Sequence, residues 1–341
     1  MDLNMPSEDW LFYKKLKSGK SQCLVCPRYC TLLENEIGWC GARWNQNGEI
    51  KPRTYGLISS LAVDPIEKKP LYHFLPGTGI LSFGSHGCNM ECLNCQNYSI
   101  SMERSLSRLQ KMEAKDIIKM AHSRKVPSIA STYNEPLIAF EYVRDIANLA
   151  DENNLKMVVV DNGYINKDLA LKLGPLLDAA NIDIKGFSDE FYKEICNTPN
   201  WKPILTTCTI FKELKVHLEI TNLIIPTKND SNTMIEEMCT WIFENLGPNT
   251  PIHFSRFHPD YKLLNLPPTP LKTLEKAYKI AKDVGLNYIY LGNIRSSLGS
   301  NTFCHICNNL IIMRDGYHTE ITGLGSDDKC QSCGTDIPII F

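Results

Sequence analysis

The stretch Cys88-Asn89-Met90-Glu91-Cys92-Leu93-Asn94-Cys95 decides how the rest of this 341-residue chain is read. It follows an apolar run, Gly79-Ile80-Leu81-Ser82-Phe83-Gly84, that predicts a buried strand. Three cysteines at x3 and x2 spacing can hold three irons of a cubane [4Fe–4S] cluster, which ordinarily takes four Cys ligands. No fourth cysteine stands close by in sequence, so one iron is expected to stay open. An open metal position is where chemistry takes place, as in catalytic rather than structural zinc sites. The competing reading is a set of buried or zinc-binding thiols. The strand before the cysteines and the motifs after them favour the cluster.

Outward from this stretch, residues 79 to about 300 alternate between two periodicities. Strands are expected at 79–84, 127–132, 156–161, 181–185, 216–225, 252–257 and 287–291. Helical patterns lie at 113–124, 138–153, 167–179, 232–246 and 270–284. Ile138, Tyr142, Ile146 and Leu149 fall on one helix face, and Val158-Val159-Val160 suits a strand buried on both sides. Repeated strand–helix units predict an α/β fold with a parallel sheet and right-handed crossovers. Six or seven units suit an open, partial TIM-type (βα)6 barrel, whose chemistry sits at the C-terminal strand ends. Three parts are expected: a Cys-rich segment 1–78, the barrel 79–300 and a metal-binding module 301–341.

The strand ends carry the candidate residues. Ser131-Thr132-Tyr133-Asn134-Glu135-Pro136 closes the second strand, where Asn134 and Glu135 can accept hydrogen bonds from an ammonium group. A helix cap by Glu135 is the other reading. Asp161-Asn162-Gly163 closes the third strand and can bond ribose hydroxyls or simply form a turn. Asp183-Ile184-Lys185 closes the fourth, with both charges on one face, which is costly unless they are paired or bind something. Leu223-Ile224-Ile225 offers an apolar edge for a flat ring. In Ile252-His253-Phe254-Ser255-Arg256-Phe257-His258, Arg256 and His258 are the expected catalytic, substrate-side residues, with Asn293 and Arg295 weaker candidates.

The 14 cysteines group rather than scatter. Cys23, Cys26, Cys30 and Cys40 can close a zinc site or ligate a second Fe–S cluster, and spacing leaves the two open. Cys304-x2-Cys307 and Cys330-x2-Cys333 form two knuckles, expected to bind structural Zn²⁺, with a rubredoxin-like iron site as rival. Between them, Leu310-Ile311-Ile312 and Asp315-Gly316 predict a hairpin. A tail of this length needs such a metal staple, and it is expected to stand apart from the chemistry. Cys196, Cys208 and Cys239 read as small core residues. Trp10, Tyr13 and Leu16, after the candidate cap Ser7, suggest a short helix. Pro65, Pro70 and Pro76 argue against regular structure, and Asp64, Glu67, Lys68 and Lys69 read as a solvated loop.

Net charge is -2, hydrophobic residues make up 43% and charged residues 22%. This is an ordinary globular balance, without the basic surface that nucleic acid requires. No basic segment followed by an apolar core opens the chain, and no apolar run approaches the ~20 residues of a membrane span. A cytoplasmic protein without nucleic-acid or membrane partners is expected.

The Cys-x3-Cys-x2-Cys motif after a first strand resembles the signature of the radical S-adenosylmethionine (SAM) superfamily. The run Val63-Asp-Pro-Ile-Glu-Lys-Lys-Pro-Leu-Tyr-His-Phe-Leu-Pro-Gly77 and the Gly38-Trp39-Cys40-Gly41 element resemble the AmmeMemoRadiSam-system radical SAM enzymes, relatives of pyruvate formate-lyase activating enzymes. This resemblance covers nearly the whole chain. It implies that SAM chelates the open iron of a cluster on Cys88, Cys92 and Cys95. It places Asn134 and Glu135 where the superfamily has its Gly-Gly-Glu-Pro-like motif for the SAM amino group, and it sets Lys185 against the SAM carboxylate. It further implies reductive SAM cleavage, a 5′-deoxyadenosyl radical that takes hydrogen from a protein or small-molecule substrate, an electron donor, oxygen sensitivity, and Memo-like and Amme-like partner proteins. A non-catalytic Fe–S or zinc scaffold is the remaining alternative. The chain departs from the signature at Asn94, where an aromatic residue is usual.

Overall fold

A computed structural model describes residues 10–294, 298–325 and 327–341. Eight strands form the central sheet: β1 (Ser60–Pro65), β2 (Gly79–Gly84), β3 (Ser128–Ser131), β4 (Lys156–Asp161), β5 (Ala179–Asp183), β6 (His217–Ile224), β7 (Ile252–Arg256) and β8 (Ile289–Gly292). They lie side by side in chain order, β2 to β8 parallel and β1 antiparallel on the β2 edge. Helices α1 (Ala114–Arg124), α2 (Phe140–Glu152), α3 (Lys167–Leu173), α4 (Asp189–Ile195), α5 (Lys202–Glu213), α6 (Asn232–Leu246) and α7 (Leu271–Val284) fill the crossovers. This is the open α/β barrel expected from the alternating pattern. Met157, Val158 and Val159 are buried on consecutive positions of β4, so both sheet faces are covered, as in parallel sheets.

Several elements differ from expectation. β5 spans 179–183 rather than 181–185, because its ladder with β4 and β6 runs from Ala179 to Asp183. Beyond it, the Lys185 N–H donates to the Tyr192 hydroxyl instead of a ladder partner. The helix expected over 167–179 ends at Leu173 and passes into a short turn, Gly174–Leu176, where Pro175 removes a donor. Helices α4 and α5 were not expected, although Ser188 caps α4 by accepting from the Phe191 N–H. Tyr13–Lys15 is a strand paired with Ser21–Cys23 and not a helix. The apolar side chains there are taken up by the barrel, with Trp10 stacked on Phe140 at 5.9 Å. Ser7, the cap expected for that helix, lies outside the described residues.

The proline-rich run corrects a larger expectation. Strand β1, at the sheet edge, ends at Pro65, where a missing N–H is tolerated. Asp64, Glu67 and Lys69 are buried, not solvated, while Lys68 stays half-exposed. Asp64 takes ion pairs from Lys69 (2.6 Å) and Lys68 (2.8 Å) and a hydrogen bond from the Tyr133 hydroxyl (2.5 Å). Glu67 accepts from the Gly77 N–H and the Thr319 hydroxyl, both at 2.8 Å. The backbone N–H groups of Tyr72 and His73 donate to Glu219, which also takes His253 (2.6 Å) and His217 (3.0 Å). Burial opposes ionisation of Glu219, but the two histidines hold its carboxyl well below the usual range. Segment 66–75 thus plugs the N-terminal end of the barrel.

The tail is bolted to this plug. Its strands are β9 (Thr302–Phe303), β10 (Leu310–Asp315) and β11 (His318–Ile321), with β10 and β11 forming the expected hairpin. Arg314, buried on β10, donates to Tyr72 O and Thr302 Oγ1 and stacks over the Tyr72 ring at 4.2 Å. Ile340 pairs with His73 and Leu75 through backbone hydrogen bonds.

Candidate active site

The C-terminal strand ends surround one cavity of about 520 Å³, a size typical of small-molecule sites. Cys88, Cys92 and Cys95 line it from the loop after β2. Glu135 after β3, Asp161 and Asn162 at the end of β4, and Asp183 and Lys185 after β5 join them. Residues up to about a hundred positions apart meet because every parallel strand delivers its C-terminus to the same side.

The cysteine loop is braced on all sides. Asn134 accepts from the Ser85 N–H (2.8 Å) and donates to Gly87 O (3.1 Å). Asn162 donates to Asn89 Oδ1 (2.9 Å), Asn89 donates to Tyr164 O (2.7 Å), and Asn162 Oδ1 accepts from the Tyr164 N–H. Both ends of the Asn134 and Asn162 amides are therefore engaged in holding the loop, a bracing role that the sequence reading assigned to cofactor contact. Cys196 was expected to be an isolated core residue. It is buried, its backbone carbonyl accepts from the Glu91 N–H at 3.0 Å and its thiol stands close enough to Cys92 for the two to interact, so a fourth cysteine does lie near the three. It is not among the cavity-lining residues.

The charged residues divide between structure and cavity. Glu135 caps the turn after Pro136: Oε1 accepts from the Leu137 N–H and Oε2 from the Asn162 N–H, both at 2.9 Å. Burial pushes its pKa up to about 7, against the pull of those two N–H groups. Burial, and then the charge of Glu135, raise Asp161 well above the usual carboxylate range. Asp161 Oδ1 takes the Gly163 N–H at 2.6 Å, while Oδ2 is buried with no partner. Lys185 pairs with Asp183 at 2.7 Å and keeps a quarter of its side chain exposed. Burial works against its charge, but the Asp183 carboxylate and the Cys92 thiolate raise its pKa well above the ordinary value.

Tyr133 sits in the left-handed region, φ 73°, where glycine is favoured. Such a conformation costs a bulky residue about 1–3 kcal/mol. The hydroxyl's anchor on Asp64 holds it there, and the same pair fixes Lys68 and Lys69, which also line the cavity.

The expected catalytic residues lie elsewhere. Alternation along β7 turns Ser255 into the cavity and Arg256 away, where its Nε donates to Thr269 O at 2.9 Å. His258 reaches the rim, 3.3 Å from Gln96. Leu223, Ile225, Asn94 and Asn293 line the cavity, while Arg295 lies outside the described residues. Tyr317, at the tip of the tail hairpin, also lines it. The tail, read as standing apart from the chemistry, supplies part of the wall. No residue pattern at Tyr317 signalled this; the hairpin's docking on Glu67 and Tyr72 creates it.

The tail cysteines form a second kind of site. Cys304 and Cys333 sulfurs are 3.6 Å apart, as are Cys307 and Cys330. All four lie within 4.8 Å of one another, close to the roughly 3.8 Å between thiolates on one tetrahedral ion with ~2.3 Å bonds.

Residues 83–242 match the radical SAM superfamily, so the chain carries a domain of that class at the site just described. The chain belongs to one family with an uncharacterized protein of Methanocaldococcus jannaschii. The two are 43% identical over 333 residues, 97% of this chain and 99% of the relative. A GTP 3′,8-cyclase of Limosilactobacillus fermentum is 25% identical over 260 residues, 67% of this chain and 74% of that one. A domain of pyruvate-formate lyase-activating enzyme from Bacteroides vulgatus aligns over 48% of this chain and 98% of its own, with TM-score 0.43 and 17% identity. The residues present fit the groups this class uses: three cavity-facing thiols on a braced loop, an unpartnered Asp161 oxygen and a cavity-exposed Lys185 ammonium. No helix among the described residues is long and apolar enough to cross a membrane.

Proposed function

We propose that this protein is a radical SAM enzyme of the activating-enzyme type. The observation that carries the reading is the convergence of Cys88, Cys92 and Cys95 with the Asp183–Lys185 pair on one cavity. Bound there, a [4Fe–4S] cluster with SAM would supply the one-electron reductive cleavage that yields a 5′-deoxyadenosyl radical able to take hydrogen from a substrate. The chain's own residues bind and orient. The three thiolates hold the metal, and Lys185, kept in place by Asp183, meets the SAM carboxylate. The free oxygen of Asp161 accepts from the cofactor's ammonium or ribose. Leu223 and Ile225 offer the flat apolar surface for adenine. Glu135 holds the turn that carries these groups.

The glycyl-radical-activase type rests on the Asp-x-Lys motif and the Cys-rich N-terminus. His258 remains a substrate-side candidate at the rim, beside Gln96, while Arg256 is turned away onto Thr269 O. A second reading, a small-molecule substrate, is favoured by Tyr317, Lys68 and Lys69, which wall the cavity. Memo-like and Amme-like proteins are the partners the resemblance suggests, beside an electron donor.

The test is anaerobic incubation of the full chain with SAM and a strong chemical reductant. Methionine and 5′-deoxyadenosine should appear in equal amounts. A protein carrying its cluster that leaves SAM intact would favour the scaffold alternative.

A further inference from the structure

We propose that Cys23, Cys26, Cys30 and Cys40 hold a second [4Fe–4S] cluster and not a zinc ion. The four thiols line one small cavity together with Arg28, Trp39 and Arg43. Their spacing separates the two metals. Thiolates on a single zinc ion must come within roughly 3.8 Å of one another. Among the described residues, the tail set alone brings three or more ligand atoms within 4.8 Å. The N-terminal four are therefore spread too widely for one ion, as are Cys88, Cys92 and Cys95. In a cubane, each thiolate binds a different iron, so its sulfurs stand further apart than on one ion.

Backbone hydrogen bonds fix the segments that carry the four thiols. The Cys23 N–H donates to Cys30 O (2.9 Å), the Tyr29 N–H to Cys26 O (3.2 Å) and the Gly41 N–H to Gly38 O (2.9 Å). Asn166 N–H donates to Val25 O (3.0 Å), tying the hairpin to the barrel.

A second observation points to an occupant rich in acceptors. Arg43 is 2% exposed and lines this cavity. Its Nη1 pairs with Glu141 at 2.6 Å, but its Nε is buried with no partner. A buried, unpaired guanidinium donor is costly, so a partner is expected, and the sulfurs of an anionic cluster are acceptors of the right sign.

The site also touches the first one. A Cβ on Gly87, next to Cys88, would collide with the Cys40 carbonyl oxygen, and Arg28 Nε donates to Asn89 O at 2.5 Å. A redox-capable centre would thus adjoin the SAM-side loop, where zinc would be inert.

The assignment goes beyond the proposed function and does not depend on the substrate. The full chain, purified anaerobically from cells supplied with iron and zinc and never reconstituted, should contain about eight irons and one zinc. The double variant Cys26→Ser/Cys40→Ser should lose about four irons and keep its zinc. Loss of zinc with iron unchanged, or about four irons and two zincs in the unaltered chain, overturns the proposal. Should the double variant fail to fold, a reductive titration of the unaltered chain decides. Uptake of about two electrons per chain supports two clusters, and about one electron contradicts them. Failure of SAM cleavage with two clusters present would count against the proposed function and leave this assignment standing.

Discussion

The cysteines of the barrel loop and those of the tail share a chemistry but not a geometry. Cys304, Cys307, Cys330 and Cys333 bring four sulfurs within 4.8 Å and line no part of the main cavity. Cys88, Cys92 and Cys95 are spread more widely, number three and face about 520 Å³ of open space. A compact set of four fills a tetrahedral ion and leaves nothing to react. A wide set of three leaves a metal position exposed to whatever else lines the cavity. Sulfur spacing and the open cavity the sulfurs face, more than cysteine count, divide structural from chemical sites in this chain.

Breaking the loop set should have the largest effect. Cys92→Ala should remove about four irons, since a cluster on two thiolates is not held. Cys333→Ala should remove the tail metal and leave the loop iron in place, and iron and zinc analysis of both variants checks this. Next comes the anchor beneath the cavity. Asp64→Asn leaves the buried Lys69 without its carboxylate and should cost about 3 kcal/mol or more, read as a fall in the thermal transition. The sign with pH follows from the same contacts. Burial opposes the Asp64 charge, but Lys68, Lys69 and Tyr133 hold its pKa well below the usual range. The stability it confers is complete above about pH 4 and fades as pH falls further, so the gap between Asp64→Asn and the unaltered protein should narrow in acid.

Lys185→Ala should weaken SAM binding by about 1.5–3 kcal/mol, the range of a charge-assisted hydrogen bond, with iron content unchanged. Equal SAM affinity in the two proteins would make the Asp183–Lys185 pair purely structural. The smallest effect is expected at Glu135→Gln. Its amide NH₂ group must face a backbone N–H of Leu137 or Asn162, leaving a donor unpaired at a cost of about 1–2 kcal/mol. A thermal transition identical to the unaltered protein's would show that the cap does not matter.

Much of this was legible in the sequence because it is local. Period-2 and period-3.6 patterns locate the strands and most helices, and strand ends in a parallel barrel converge by topology. That logic put Glu135, Asp161, Asp183 and Lys185 beside the three cysteines. Three kinds of feature were not legible. Asp64, Lys68 and Lys69 look like a solvated charge run, since pairing through Tyr133, 69 positions away in sequence from Asp64, leaves no spacing signal. Cys196 meets Cys92 only because the backbone of Ile195 and Cys196 accepts from Leu93 and Glu91. Tyr317 reaches the cavity through the docking of a whole hairpin. At Arg256 the pattern was read rightly and the role was not: alternation placed it opposite Ser255, and Ser255 is the residue that faces inward.

The central claim is that the loop cysteines, and not those of the tail, support SAM cleavage. The direct measurement is 5′-deoxyadenosine formed under anaerobic reduction by Cys88→Ala and Cys330→Ala, beside the unaltered chain. Cys88→Ala should form none above background, while Cys330→Ala, if folded and carrying its loop iron, should still form it. Product from Cys88→Ala at the unaltered rate, or none from an iron-loaded Cys330→Ala, would contradict the account.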